Sequence, residues 1–175
     1  MAACMRLRSI INMVRKNALN LSDEQVDDPI IENVADNAWN VAMLSDKEWT
    51  ALPRHWRAIR TTFWLYIEVQ NGGLHQFLWN DDGLTVNATI EDLDYIGAGP
   101  FQKILCRAKH IYDSEGYPNR RGTSQNSWDQ FTRGYQSGEM ETLDHEFYAL
   151  HDSRSLPDYI TSFVRLHRKL FQSPT

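Results

Sequence analysis

Apolar residues recur along this chain at three- and four-residue intervals, the spacing that gathers them on one stripe of an α-helix. Ile10, Ile11, Val14 and Ala18 open the pattern with Arg and Lys between them, and predict an amphipathic first helix ending near Asn20. Ser22 and Gln25 have capping-box spacing, in which Ser accepts from a helical amide while Gln reaches back to the cap. Asp23 and Glu24 then suit the positive end of that helix. Pro29 offers a later start at position 30, carrying Ile31, Val34, Ala35 and Ala38 inward. Ser45 and Glu48 repeat the capping box. Pro53 fits the first turn of the next helix, where its missing N–H costs nothing. Trp56, Ile59, Phe63, Tyr66 and Ile67 mark that helix's apolar stripe.

Asn71-Gly72-Gly73 is expected to stop it, because Asn and Gly tolerate the left-handed conformation. Leu74, Phe77, Leu78 and Trp79 form an apolar segment beyond, closed by the turn chemistry of Asn80-Asp81-Asp82-Gly83. Asn87 is expected to cap a helix running through Leu93 and Ile96 to Gly97. Pro100 opens another, with Ile104, Leu105, Ala108, Ile111 and Tyr112 at helical spacing. Residues 116–126 read as the clearest loop. Trp128, Phe131 and Tyr135 suggest a helix ending at Gly138, and Leu143, Phe147 and Leu150 suggest the next. Pro157 begins the last, with Ile160, Phe163, Val164, His167 and Phe171 inward. Only Leu84 to Val86 offers a strand. The expectation is an all-α, compact single-domain bundle of about eight or nine helices. Residues 1–49 supply N-terminal helices with an acidic segment, and residues 50–175 a helical domain, in one compact unit overall.

Length and composition narrow this picture. A chain of 175 residues suits one domain. Six Trp, seven Tyr and seven Phe are core material that a disordered chain lacks. No uncharged apolar run approaches the roughly 18–20 residues of a membrane span. Two cysteines, Cys4 and Cys106, exclude a disulfide framework and a four-Cys zinc site. Asn12 and Arg15 interrupt the N-terminal apolar run that a signal peptide needs, so the expected location is cytoplasmic.

Charge is unevenly spread. Residues 1–21 hold four basic and no acidic side chains, a net +4. Residues 22–100 hold fourteen acidic and four basic, a net -10, and residues 101–175 sum to +1. The negative middle argues against direct nucleic-acid or anionic-membrane binding there and permits a cationic partner. Asp28, Glu32 and Asp36 fall one turn apart on a single helical face. Asp23, Glu24, Asp27, Asp46, Glu48, Asp81 and Asp82 stand behind them as acidic-surface candidates. Further acidic residues cluster at Glu91, Asp92 and Asp94. The basic Arg6, Arg8, Arg15 and Lys16 belong to a helix docking by Ile10, Ile11 and Val14, or touch an acidic surface such as a partner subunit's.

Catalytic and metal signatures are missing: no G-x-S-x-G, phosphate loop, H-E-x-x-H or C-x-x-C occurs. No catalytic residue, metal or cofactor is expected. Glu141 and His145 share a helical face without enough further ligands for a metal. Cys106 reads as a buried inert thiol, and Arg120-Arg121 as a solvated loop. The most specific local feature is the stretch from Glu68 to Asn80. Its structural reading has Glu68, Asn71, Gln76 and Asn80 hydrogen-bonding the free groups of two helix ends. Its functional alternative is a small-ligand pocket or uncharacterised enzyme. Glu68 would then act as acid or base, with Asn71, His75 and Gln76 orienting a ligand.

At this stretch the chain resembles the DNA mimic protein 19-like family of bacterial helical domains. The likeness rests on an E-V-x-N-G-G run and an aromatic-rich continuation: Glu68, Val69, Asn71, Gly72, Gly73, Gln76, Phe77, Trp79 and Asn80. It continues through Ile96-Gly97-Ala98, Leu143-Asp144, Phe147-Tyr148 and the Tyr159-Ile160 helix with His167, covering roughly residues 50–170. The resemblance implies an all-α domain, often a homodimer, without catalytic activity or cofactor, in which the motif is structural. It also implies mimicry of duplex DNA by surface carboxylates that occupy the DNA-binding face of a helix-turn-helix transcription factor. The expected function is therefore a non-enzymatic acidic protein-binding domain whose partner is a basic DNA-binding regulator.

Overall fold

The computed structural model describes residues 29–42, 44, 46–81, 85–114, 131 and 138–171. Helix α1 spans Pro29–Ala42, α2 Asp46–Thr50, α3 Arg54–Asp81 and α4 Val86–Tyr95. Helix α5 spans Gly99–Ser114, α6 Gly138–Ser153 and α7 Leu156–Leu166, and a 3-10 turn follows at Arg168–Leu170. No strand occurs among the described residues, so the chain is all-α. Seven helices are described rather than eight or nine, with α3 counted as one although the non-helical backbone of Gly72 and Gly73 breaks it into two arms, as the glycine pair was expected to do. The helices expected before Pro29 and around Trp128, and the 116–126 loop, lie outside the described residues.

Helix α3 is the axis of the fold and touches each of the other six helices. Its sequence explains why. Ala58, Ile59, Phe63, Leu65 and Val69 before the bend, and Leu74, Phe77, Leu78 and Trp79 after it, are all buried. A helix apolar around most of its circumference must be enclosed on most sides. Thr61, Glu68 and His75 are buried with it, so their polar atoms need internal partners.

The remaining helices cover α3 with single stripes. Helix α1 starts at Pro29 and buries Ile31, Val34, Ala38 and Ala42 at three- and four-residue spacing. Helix α4 begins one residue before Asn87, with Thr85 at its N-cap. Asn87 is exposed, and the Thr89 N–H and hydroxyl both donate to the Thr85 carbonyl, at 2.7 and 3.0 Å. Gly97 closes α4 at φ 81°, with Ala98 N–H bonded to the Leu93 carbonyl and Gly97 N–H to that of Asp94. That left-handed cap is cheap only for glycine.

At α7, Ser155 Oγ accepts from Asp158 N–H at 3.2 Å while Asp158 Oδ2 accepts from Ser155 N–H at 2.9 Å. A reciprocal cap of this kind stabilises a helix by about 1 kcal/mol. Phe101 locks the C-terminal helices together, edge-on against Phe147 at 4.8 Å and Tyr159 at 5.9 Å. Two expected burials are corrected by helix phase. Ile104, Leu105, Ala108 and Tyr112 face inward, which turns Cys106 to the surface as a free, exposed thiol. His167 ends α7 and is exposed, while Phe171 beyond it is buried.

Candidate functional site

The bend in α3 is where sequence specificity and geometry meet. Gly73 sits at φ 75°, ψ -178°, backbone that side-chain-bearing residues scarcely populate. A Cβ there would lie 2.5 Å from Asp144 Oδ2 and 2.9 Å from its Cγ. The glycine thus satisfies a conformational and a steric demand at once. Asp144 uses the space: its Oδ1 accepts from Leu74 N–H at 2.7 Å. That amide opens the second arm of α3 and has no partner in its own helix. One turn further along α6, Tyr148 donates its hydroxyl to the Val69 carbonyl at 2.7 Å. Val69 belongs to the last turn of the first arm, whose carbonyls are likewise orphaned. Helix α6 therefore caps both broken ends of α3 with residues four apart on one face.

Those ends were expected to bind the motif's own polar side chains, and here the structure corrects the sequence. Glu68, 6% exposed, instead collects the side-chain amides of its own motif. Its Oε2 accepts from Gln76 Nε2 at 3.1 Å and from Asn80 Nδ2 at 2.5 Å. Asn71, by contrast, is exposed. His75 is buried with its Nε2 3.1 Å from the Phe131 carbonyl, an acceptor, so the ring donates from that nitrogen. Its ring packs among Trp79, Tyr112 and Phe131, with centroids 5.4 to 6.1 Å away. Phe77 and Trp79 are buried in the core.

Two further carboxylates turn inward. Asp92 accepts from the Thr61 hydroxyl at 2.9 Å and ties α4 to α3. Burial pushes the Asp92 carboxyl above its ordinary value, with the Thr61 bond and the charges of Arg54 and Arg57 opposing. Burial raises Asp144 as well, against the opposing hydrogen bond from Leu74. On the same face of α6, two turns beyond Asp144, His151 stacks on Tyr66 at 5.4 Å and 16°. Burial lowers the His151 pKa and raises that of Tyr66. His151 Nδ1 is buried without a hydrogen-bond partner.

The acidic-surface candidates are only partly described. Asp23, Glu24, Asp27, Asp28 and Asp82 lie outside the described residues. Glu32 falls in α1, Asp46 in α2 and Asp81 at the end of α3. Asp36 is half-buried on α1 and Glu48 exposed on α2. Sequence reasoning gave no site role to Glu91 and Asp94, which are exposed on α4 and in no ion pair among the described residues. It likewise gave none to Asp144 and Tyr148, although their four-residue spacing on the α6 stripe was a readable signal. The ion pairs among the described residues, Arg107–Glu146 and Lys109–Asp113, both lie outside the acidic middle. An open groove of about 580 Å3 between α5 and α6 is lined by Cys106, His110, Ile111, Thr142 and Leu143, far in sequence from the Glu68 motif. No group of three His, Cys, Asp or Glu placed to hold a metal occurs among the described residues. No described helix is long and apolar enough to cross a membrane.

These features define an all-α domain organised on one bent central helix, with its glycine motif committed to the bend. The chain belongs to the DMP19-like protein family, which it matches over residues 50–167. No curated protein and no solved structure matches it.

Proposed function

We propose that this protein is a non-enzymatic binding domain whose acidic middle engages a basic protein surface, namely the DNA-binding face of a helix-turn-helix transcription regulator. The carrying observation is the net charge of -10 held by residues 22–100 of a chain whose total is only -5. Family membership supports the reading, since the resemblance implies carboxylates set out as a duplex-DNA imitation. Exposed carboxylates act on a partner only where no neighbouring cation cancels them, and Glu91 and Asp94 stand in no ion pair among the described residues. Such a field steers a cationic surface into encounter and fades as salt screens it. Asp28, Glu32 and Asp36 are the leading contributors in this reading, supported by Asp23, Glu24, Asp27, Asp46, Glu48, Asp81 and Asp82.

The test is capture by the immobilised chain at low and high salt, followed by competition between the chain and operator DNA for the captured regulator. The expected result is a basic DNA-binding protein, held at low salt, released at high salt and displaced from its operator. The triple variant D28K/E32K/D36K should lose that competition. Recovery of no basic partner, or recovery indifferent to salt and to the variant, defeats the reading.

A further inference from the structure

The exposed large apolar side chains of the described residues are concentrated in one place. Leu166 is 79% exposed and Leu170 44%, four positions apart across the end of α7. Arg165, His167, Arg168 and Lys169 surround them, all exposed. Arg54 brings a further cation from the start of α3. It lies over the Tyr95 ring at 4.6 Å, Tyr95 packs on Phe163 at 5.1 Å, and Phe163 lies against His167 at 4.6 Å. Arg54, Arg165 and Lys169 belong to no ion pair among the described residues, although the exposed Asp94 precedes Tyr95.

The patch is anchored in place. Phe171 is buried edge-on against His55 at 5.0 Å and Trp56 at 5.5 Å, and the His55 ring is hydrogen-bonded to the Leu170 backbone. Apolar surface rimmed by charge marks an interaction site. Cations around two leucines call for a covering that is itself both apolar and acidic.

The chain carries such a covering close by. Helix α1 packs against α7. The sequence running into α1 at Pro29 is Leu21-Ser22-Asp23-Glu24-Gln25-Val26-Asp27-Asp28, which combines four carboxylates with two apolar side chains. It lies outside the described residues. From Ser22 to Pro29 an extended chain reaches at most about 25 Å. Helix α7, with 11 residues, is about 16 Å long. So short a tether holds the segment at an effective concentration in the millimolar range, which a separate molecule must exceed. The basic stretch that holds Arg6, Arg8, Arg15 and Lys16 is excluded as the covering by its sign. An anionic lipid surface suits the cations but is repelled by the acidic segment and by the net charge of -5.

We propose that residues 21–28 fold back on the end of α7 as an acidic clasp. Leu21 and Val26 cover Leu166 and Leu170, and Asp23, Glu24, Asp27 and Asp28 face Arg54, Arg165, Arg168 and Lys169. The clasp goes beyond the partner reading and stands on this chain alone. It withholds four carboxylates from any basic partner until it opens.

A water-soluble carbodiimide, which joins a carboxylate to a neighbouring amine, tests this on the purified full chain without any partner. Its failure therefore leaves the partner reading untouched. Ordinary and isotope-labelled chains are mixed in equal parts before coupling, and the linked peptides are mapped by mass spectrometry. The expected product joins Lys169 to a carboxylate of residues 23–28 within a single label, and its yield falls as salt rises. R165E and L166E leave the Lys169 amine in place and should each lower the yield about tenfold. Both positions are exposed, so helix content should stay unchanged. Lys169 linked only to Glu91 or Asp94, or to nothing, overturns the proposal. So does a product of mixed label, which places a second copy on the patch, or a yield indifferent to salt and to both variants. Phosphatidylserine vesicles that bind the parent chain and abolish the link would assign the patch to a lipid surface instead.

Discussion

Carboxylates at the bend of α3 and on the outer face of α4 are chemically alike and structurally opposed. Glu68 is buried, and both of its described hydrogen bonds come from side-chain amides of its own helix. Asp144 faces the chain break and binds a backbone amide. Glu91 and Asp94 face solvent and bind neither backbone nor cation among the described residues. A carboxylate taken out of water is tolerable only where fixed donors replace its hydration. The first set is therefore spent on holding the fold. The second keeps its charge available to another molecule. A count of acidic residues adds the two sets together, although only the second faces solvent.

Substitutions at the bend should be costly and those on the outer face nearly silent in stability. Gly73→Ala is expected to have the largest effect, a loss of about 3 kcal/mol or more in chemical denaturation, from the positive φ and the collision with Asp144. A loss under about 0.5 kcal/mol would show that the bend relaxes freely. Glu68→Ala should cost about 2 kcal/mol by leaving the Gln76 and Asn80 amides without their acceptor. Tyr148→Phe should cost about 1 kcal/mol, because it removes one hydroxyl bond and leaves the ring in place.

His151 sharpens the comparison through pH. Its pKa is lowered in the fold, so its contribution to stability is complete above its unfolded value of 6.5 and is lost as pH falls through the lowered value. His151→Phe keeps the stack on Tyr66 and should flatten the fall in stability measured on acidification below pH 6.5. Asp92 and Asp144 run the other way. Their raised values favour the folded state below the ordinary carboxylate range, and that favour is lost as pH rises through them. The smallest stability effect is expected from E91K with D94K, within about 0.5 kcal/mol of the parent in the same denaturation assay.

Much of the helical plan is legible from periodicity. The stripes of α1, α5 and α7 bury the expected Ile31, Val34, Ile104, Leu105, Ala108, Ile160, Phe163 and Val164. The α4 cap at Gly97 follows from glycine chemistry. The start of α4 does not, because Thr85 and Asn87 are both good capping residues, and the helix begins where the Thr89 N–H bonds the Thr85 carbonyl, with no side-chain cap from Thr85. Cys106 lies at the surface against the expectation of burial for a related reason. Its neighbours in sequence are apolar, but helical phase, fixed by Leu105 and Ala108, rotates it outward.

An all-α chain, the glycine break at positions 72 and 73, and a family motif dense enough to be recognised are all legible in residue order. Those properties are local: they depend on side-chain period and on backbone conformations that only glycine reaches. That Asp144 and Tyr148, some 70 residues further along, cap the broken helix is set by how the helices pack. Packing alone also turns Glu68 and Asp92 inward and Glu91 and Asp94 outward, and leaves Leu166 and Leu170 in solvent. Long-range partners and solvent exposure are set by which helix faces meet in space, and residue identity carries no record of that distance.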